Sequence, residues 1–336
     1  MASTSSSPSL FDAPGPGRKE ASASPPEPLR KGPTELGYRP GELLPYIDWT
    51  FYLQAMGLRG HYPGILDDRF EGGGAERLLD EARALLVRAE ADRLLDIRGL
   101  VGFFPASSYG DDVAIWEDED RVAERARIPF PRQAPGKEGR GACLADWIEA
   151  ADSGRRDWIG AFAVTAGLGL EASLQAMKAR NDGYDARLLG LLAERLVQAA
   201  AERMHEEVRR RLWAYAPDEE LPPFRLFHNN FRGLRAVPGR GPCPDPRERR
   251  LIFRLLEVEA KLGMSLDEEL SLLPAASLCG WYFGQPEARP FSVGRIDRAQ
   301  ALELAARRGE GLEETERWLR NELGYSPMPA GDSGTG

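Results

Sequence analysis

Cysteine is scarce in this chain, and no two cysteines stand close together. The 336 residues contain three, at Cys143, Cys243 and Cys279. An odd number of widely spaced cysteines argues against a disulfide framework and fits a reducing compartment. Spacing alone leaves a three-cysteine zinc site open, but buried free thiols are favoured because no C-x-x-C pair forms half a site in advance. We therefore predict no metal site.

Histidine is equally scarce, with three residues in the whole chain. His61, His205 and His228 all lie outside the motifs that place a histidine beside a serine or cysteine nucleophile. We therefore predict no catalytic triad and assign no catalytic residue.

Long apolar runs and an excess of positive charge are also missing. No stretch of about 18 apolar residues is present to cross a membrane, and the N-terminus has no apolar signal-peptide core. A net charge of −9 and a pI near 5.2 argue against nucleic acid or an anionic membrane as the main partner. With 42% hydrophobic and 29% charged residues, the composition predicts a globular protein in the cytoplasm.

The composition changes along the chain and suggests three parts. Residues 1–38 are rich in serine, proline and glycine, so we predict a disordered arm that buries too little apolar area to offset its ordering entropy. Residues 39–326 are predicted to form one domain. Residues 327–336 are predicted to be a flexible tail.

Helical and strand patterns alternate irregularly within the predicted domain. Strand pattern marks 99–106, 112–116 and 157–165, and a hairpin is predicted from 281–283 and 290–296. Helical periodicity marks 75–91, 184–215, 247–262, 298–308 and 312–323. Strands interrupted by long helices, with short hairpin-like links, predict an α+β fold with an antiparallel sheet.

Two segments carry the candidate functional residues. Leu44–Leu66 surrounds one acid, Asp48, with aromatic residues, and such an acid needs a polar partner if it is buried. The loop from Gly233 to Pro244 contains three glycines, three prolines and Arg235, whose planar fork suits a carboxylate. Two structural alternatives stay open: Asp48 is a satisfied acid at an element junction, and Arg235 pins its loop to a nearby acid.

A series of rare strings resembles the activation domain of cobalamin-dependent methionine synthase. The strings occur in order from about Pro45 to Tyr325: PYIDWT, LVGFFPASSYGDDVAI, CLAD, WIGAFAVTAG, LWAYAPD, FRGLRAVPGRGPCP, AASLCGWYF and ERWLRNELGY. A collinear series is far more specific than any single short motif. The resemblance implies one helmet-shaped domain with a twisted antiparallel sheet flanked by helices.

The resemblance also implies a binding site for S-adenosylmethionine (SAM). Asp48, Arg235 and Gly239 match residues of that site in the family. At five further site positions this sequence departs from the family pattern: Gln198, Asn229, Val237, Arg240 and Pro290. Phe291 keeps the second of two paired aromatic rings, the first of which is lost at Pro290. Two carboxylates are replaced, by Gln198 and Asn229, and Arg240 adds a positive charge. We therefore expect SAM to bind more weakly than in typical family members.

The function implied is reactivation of cobalamin in methionine biosynthesis. These 336 residues contain no D-x-H-x-x-G cobalamin motif and no vicinal cysteines for a homocysteine zinc site. The sequence therefore predicts a stand-alone activation module, a component of methyltransferase activity. It would act on a cobalamin-binding protein or a truncated methionine synthase, with a flavodoxin-like electron donor. The alternative is a non-catalytic binding or regulatory module with a remodelled pocket.

Overall fold

The fold is built around one antiparallel sheet. The computed structural model describes residues 25–135, 139–222 and 231–327. The strands are β1 Thr34–Tyr38, β2 Asp96–Tyr109, β3 Asp112–Trp116, β4 Glu124–Pro129, β5 Asp157–Leu168, β6 Leu234–Ala236, β7 Ser265–Leu266, β8 Leu272–Leu273 and β9 Ser277–Phe283.

Helices lie on both sides of this sheet. They are α1 Pro40–Leu43, α2 Trp49–Ala55, α3 Gly72–Ala91, α4 Leu170–Ala179, α5 Gly183–Glu207, α6 Glu248–Leu256, α7 Val258–Leu262, α8 Arg298–Arg308 and α9 Leu312–Trp318. Short 3-10 turns occupy Leu44–Tyr46, Gly64–Asp67, Leu144–Trp147 and Ala151–Ser153, and a π-helical turn at Val208–Leu212 extends α5.

The strand order places the longest strands in the centre. The main sheet runs β4-β3-β2-β5-β9-β6, and β1 also pairs with β2. All of these pairings are antiparallel. β7 and β8 form a separate two-stranded sheet. The α+β class with an antiparallel sheet and flanking helices, predicted from the sequence, is confirmed.

Alternating residues of β2 enter two different cores. Val101 and Phe103 pack into the core beneath α3 and α5, whereas Leu100 and Phe104 pack into the core beneath α6 and α8. Successive side chains of a strand point to opposite faces. The central strands are therefore buried on both faces, which explains why β5 appears in the sequence as an unbroken apolar run.

Two predicted elements differ from the structure. Residues 290–296 contain no strand, so the predicted hairpin is wrong, and β9 pairs instead with β5 and β6. Pro290 has no N–H to donate, and Gly294 has a φ of +75°, outside strand geometry. The single helix predicted over 247–262 is two helices, α6 and α7, separated at Glu257, whose φ is +56°.

The folded unit begins before the predicted boundary at residue 39. β1 occupies Thr34–Tyr38 and pairs with β2. Further upstream, the indole N–H of Trp213 donates to the carbonyl of Pro26 at 2.8 Å. The prolines and glycines of residues 25–38 predicted a disordered segment. These residues are instead fixed by contacts with distant parts of the chain. Residues 1–24 and 328–336, the rest of the predicted arm and tail, lie outside the described residues.

Candidate functional site

Arg235 lies on the short strand β6 and forms an ion pair with Glu202 of α5. The two side chains are 13% and 11% exposed, so the pair is largely withdrawn from water. Burial opposes the charge on Arg235, but the neighbouring acids, above all Glu202, hold its pKa above the usual range. Arg235 therefore presents a fixed cation at this end of the sheet.

Several polar atoms around this pair have no hydrogen-bond partner in the described part of the chain. They are Nη1 of Arg235, Oε2 of Glu202, the hydroxyl of Tyr282 and Nδ1 of His205, all buried. We call the four residues the α5 cluster. Buried polar atoms in folded proteins are nearly always hydrogen-bonded, to protein, water or ligand. The cluster thus retains donors and acceptors for a further polar group.

Stacked rings hold the α5 cluster rigid. Tyr282 lies between Phe162, at 4.6 Å between ring centroids, and His205, at 4.7 Å. Nε2 of His205 lies 3.2 Å from the hydroxyl of Tyr215. Burial and the positive charges of Arg209 and Arg235 lower the pKa of His205 well below its usual value, so the ring is neutral near pH 7.

Asp48 caps the N-terminus of α2. One of its carboxylate oxygens accepts from the backbone N–H of Thr50 at 3.0 Å. The hydroxyl of Thr50 in turn accepts from the N–H of Tyr62 at 3.1 Å. This arrangement matches the structural alternative of a satisfied acid at an element junction. Asp48 is nevertheless only partly buried, and its Oδ2 accepts no hydrogen bond in the described residues.

The segments that carry Asp48 and Arg235 meet the same face of α5. The hydroxyl of Tyr46, two residues before Asp48, donates to Glu206. Arg235 binds Glu202, one helical turn earlier. Residues four apart on a helix lie side by side, about 6 Å between Cβ atoms. Gln198 lies one further turn back and is half-buried, so the helix presents 198, 202 and 206 in a row.

The loop after β6 is held in a tight turn. The N–H of Gly239 donates to the carbonyl of Cys243 at 2.8 Å, and Cys243 donates back to the carbonyl of Arg240 at 3.1 Å. Gly239 has a φ of +98°, and a Cβ there would lie 3.0 Å from Nη2 of Arg249. Glycine is therefore required at 239. Val237 is half-buried and packs against the α5-side core.

Arg240 is exposed at the tip of this loop. Partial desolvation and the like charges of Arg235 and Arg249 lower its pKa. The charge of Arg235 is balanced by Glu202, so Arg240 supplies the exposed positive charge of this loop.

Pro290 and Phe291 lie against the same loop without forming a strand. The N–H of Val293 donates to the carbonyl of Gly241 at 3.2 Å, which fixes the segment there. Pro290 is half-buried, whereas the Phe291 ring is buried in the core on the opposite side of the sheet from α5. Asn229, the remaining candidate position, lies outside the described residues.

A cleft beside α2 has a volume of about 390 Å³. It is lined by Phe51, Tyr52, Gln54, Ala55, Leu191, Glu194 and Arg195. Neither Asp48 nor Arg235 lines this cleft. A second cleft, of about 550 Å³, lies at the sheet edge between β1 and β3 and also lacks both residues. The two predicted site residues are therefore joined through α5 and not by one of these clefts.

Glu202 and Tyr282 were not among the site residues predicted from the sequence. Glu202 is an acid within the buried stripe of a helix, four residues after Gln198, and an acid in such a stripe needs a partner. That signal was available in the sequence. The sequence contains no such signal for Tyr282, because its position beside Arg235 depends on the pairing of β6 with β9.

Within the described residues, no three His, Cys, Asp or Glu side chains gather as a metal site, and no helix is both long and apolar enough to cross a membrane. The three cysteines are free and buried. Burial raises the pKa of Cys143 and of Cys279 to about 12, so neither is a reactive thiolate near pH 7.

Comparison with known proteins identifies the family. The family profile described as "Vitamin B12 dependent methionine synthase, activation domain" matches residues 41–309. This chain belongs to that family. The structure is also similar to a crystal structure of the MetH reactivation domain bound to AdoHcy, with a TM-score of 0.87 and 40% sequence identity. The match covers 90% of this chain and 94% of the other. The resemblance found in the sequence is confirmed, and this activation domain has the expected fold.

Proposed function

We propose that this activation domain binds SAM and presents its methyl group to cobalamin. The observation that carries the proposal is the α5 cluster, where a buried arginine and a buried glutamate each keep one unpartnered atom. The support from outside the chain is the similar reactivation domain, which was crystallised with AdoHcy, the product that SAM becomes when it loses its methyl group.

The chemistry of the cluster suits the amino-acid end of SAM. Nη1 of Arg235 is a charged donor for the carboxylate. Oε2 of Glu202 is an acceptor for the ammonium, and the partly buried carboxylate of Asp48 attracts the positive end of the ligand. We assign Gly239 to close approach of backbone and ligand. The assignments of Gln198, Asn229, Val237, Arg240, Pro290 and Phe291 to the same site remain proposals.

The reaction implied by family membership consumes one electron and one methyl group. Cob(II)alamin gains an electron from a donor and the methyl group from SAM, giving methylcobalamin and AdoHcy. The protein residues in the proposed site bind and orient, and none of them is required to move a proton. This agrees with the neutral His205 and the high-pKa cysteines found in the structure.

We further propose that the cobalamin is presented by a separate partner. The printed sequence contains no cobalamin-binding signature, so the cofactor must be supplied by another domain or another chain. The partner would be a cobalamin-binding protein or a truncated methionine synthase, and the electron would come from a flavodoxin-like protein. The site of action would be the cytoplasm, where such reduced carriers are found.

Calorimetric titration with AdoHcy and with SAM tests the binding proposal. We expect Arg235→Lys and Asp48→Asn each to weaken AdoHcy, since Lys lacks the planar fork and Asn lacks the charge. Arg254→Lys is the matched control, because Arg254 is exposed on α6, away from the cluster. If neither ligand binds the wild type, or if all three variants bind equally well, the site assignment is wrong.

A second experiment tests the stand-alone role. The domain is mixed with a separately purified cobalamin-binding module, SAM and reduced flavodoxin, and methylcobalamin formation is followed by absorbance. Formation that requires all four components supports the proposal. Formation only when the domain is fused to the cobalamin module contradicts action on a separate partner.

One observation favours the alternative of a regulatory binding module. Arg240 is an exposed cation on the loop that follows β6, and no acid pairs with it in the described residues, so it would retain a small anion even if SAM binds poorly. Binding of AdoHcy or of a simple carboxylate, without methylcobalamin formation in the four-component mixture, would support this alternative.

A further inference from the structure

One edge of the central strand β2 is left unpaired over three residues. β1 pairs with β2 as far as Thr34↔Val101, and β3 pairs with it from Ile115↔Ala106 onward, with its last residue, Trp116, beside Pro105. β5 pairs along the other edge without interruption from Arg98 to Ala106. Residues 102–104 therefore have no strand neighbour on the β1 and β3 side. We call this gap the edge notch; it is about 10 Å long at 3.3 Å per residue.

The two flanking strands behave as two pieces of one edge strand. Both are antiparallel to β2, and β3 runs toward the edge notch while β1 runs away from it. A three-residue extended segment would complete the edge. Unpaired edges of this kind accept added strands in many complexes.

The strand pattern identifies the backbone groups that face the edge notch. The N–H of Ser108 donates to the carbonyl of Glu149 on the β5 side. Because backbone groups of alternate residues point to alternate edges, the N–H and carbonyl of Phe103 face the notch. Phe103 is almost fully buried, and no described residue hydrogen-bonds to its backbone on that side. A buried, unpaired backbone group is rare in a folded protein.

The 550 Å³ cleft opens directly onto this edge. Its walls are Lys31–Pro33, just before β1, and Glu117–Asp120, just after β3, and its floor includes Phe103–Pro105. A cleft of this size holds a short peptide or a small ligand. The cleft and the unpaired edge of β2 therefore lie at the same place: the cleft is the space beside the residues of β2 that lack a strand neighbour.

The lining of the cleft is acidic. It contains five carboxylates, of Glu117–Asp120 and Glu257, and three cations, of Lys31, Arg125 and Lys261. Each cation pairs with one of these acids: Lys31 with Glu119, Arg125 with Glu117 and Lys261 with Glu257. Asp118 and Asp120 keep no cation within the described chain. A positively charged occupant is therefore favoured.

Lys31 shows where such a charge would lie. Its ammonium reaches from the segment before β1 to Glu119 after β3, and so crosses the edge notch. Both side chains are solvent-exposed, so the contact is weak and screened by salt. An incoming lysine or arginine can displace it at little cost.

We propose that the edge notch binds an extended peptide segment of another protein, about three residues long, that carries a lysine or arginine side chain. The segment pairs antiparallel to β2 through the backbone of Phe103. Its basic side chain binds the Asp118 and Asp120 carboxylates. A small cation without a peptide backbone would leave Phe103 unpaired. The inference does not depend on the SAM site.

The test uses three labelled hexapeptides of alternating sequence and the full chain. The first alternates valine with lysine, the second alternates valine with glutamate, and the third is the lysine peptide with N-methylated amides. Fluorescence anisotropy at low and at physiological salt gives the affinities. We expect the first to bind, with the other two at least about tenfold weaker. Hydrogen exchange should show new protection of the Phe103 amide.

Charge variants test the occupant. Asp118→Asn with Asp120→Asn should weaken the lysine peptide about three- to tenfold, whereas Lys31→Ala should strengthen it. The control is Glu268→Gln with Glu269→Gln, an equal charge change at exposed residues that do not line the cleft. Equal binding of the N-methylated peptide overturns strand pairing, and equal binding of the glutamate peptide overturns the charge argument. Absence of binding by all three peptides at millimolar concentration overturns the proposal.

Discussion

Two buried ion-pair groups lie on opposite sides of the sheet, and they differ in how completely their atoms are paired. The α5 cluster holds Arg235 against Glu202 and leaves atoms of both without partners. On the other side, Arg247 donates to both oxygens of Asp245 and both of Glu310, at 2.7 to 3.1 Å. Arg308 adds contacts to Glu248 at 2.7 Å and Asp245 at 3.1 Å.

This difference in pairing distinguishes a group that stabilises the fold from a group that we propose binds a ligand. We call the second group the Arg247 network. Among its side chains, Nε of Arg308 is the buried atom without a partner in the described chain. A network with one unpartnered atom offers little to a ligand, and it joins the loop before α6 to α8 and the turn that follows α8. The α5 cluster keeps polar atoms that no described residue pairs, which is expected where a ligand supplies the missing partners.

The largest effect should come from Arg247→Ala. Asp245 is nearly fully buried, and removing its main partner leaves this carboxylate with the Arg308 contact alone, which costs up to about 3–5 kcal/mol of unfolding free energy. Urea denaturation measures the loss. AdoHcy affinity of the folded protein should be unchanged. A stable Arg247→Ala variant with impaired AdoHcy binding would reverse the assignment of the two groups.

Arg235→Ala should weaken AdoHcy binding, which Arg247→Ala leaves unchanged. Loss of a charged hydrogen bond to ligand weakens AdoHcy by about 1.5–3 kcal/mol, or roughly 10- to 150-fold. Stability also falls, because Glu202 loses its partner, but Arg235→Ala with Glu202→Gln should restore part of the stability and none of the affinity. Calorimetry and urea denaturation are run on both variants. If the double variant recovers affinity, Arg235 is structural.

Asp157 is a further buried carboxylate. Within the described residues it forms no ion pair with an arginine, and both of its oxygens accept hydrogen bonds. Asp157 accepts from the backbone N–H groups of Glu149 at 3.0 Å and of Trp158 at 2.8 Å. Burial raises its pKa to about 7, far above the unfolded value. The native state therefore binds the extra proton between pH 4 and 7.

The stability contribution of Asp157 should consequently be present below pH 4 and be lost as the pH rises through 7. The slope is at most about 1.4 kcal/mol per pH unit. Urea denaturation from pH 4 to 8 measures it. Asp157→Asn should flatten this part of the profile, while Asp80→Asn, at an exposed residue of α3, should not. An unchanged slope in Asp157→Asn would assign the dependence to another group.

The fold was predictable from the sequence where local pattern and burial agree. The α3 and α5 stripes and the apolar strands β2, β3 and β5 follow from periodicity. The 290–296 segment was misassigned because its apolar residues are buried by a loop that packs on Gly241, a contact that sequence spacing does not contain. Residues 25–38 were assigned to the arm because proline and glycine composition outweighed the pairing of β1 with β2.

The site was predictable only in part. Asp48, Arg235 and the α5 residue Gln198 were assigned to the site through resemblance, but the α5 residues that contact the two segments were not. The partner of Arg235 lies 33 positions away on a helix, and only the three-dimensional fold shows that Glu202 and Glu206 receive Arg235 and Tyr46 on one face. Arg235 is paired with an acid, as the structural alternative predicted, and the binding role that we propose for it rests on the unpartnered atoms.

The smallest predicted effect distinguishes SAM from AdoHcy at Arg240. SAM carries a sulfonium charge that AdoHcy lacks, and Arg240 adds an exposed positive charge on the loop that follows Arg235. We expect the wild type to bind AdoHcy more tightly than SAM, and Arg240→Tyr to strengthen SAM by about 1 kcal/mol while changing AdoHcy less. Paired calorimetric titrations measure the ratio, and Arg232→Tyr, at an exposed arginine just before β6, is the control. Tight SAM binding by the wild type that weakens in Arg240→Tyr would mean that the arginine contacts the ligand favourably, most simply through the carboxylate. In that case the α5 cluster would share the carboxylate with the loop, and the unused Nη1 of Arg235 would no longer by itself mark the binding position.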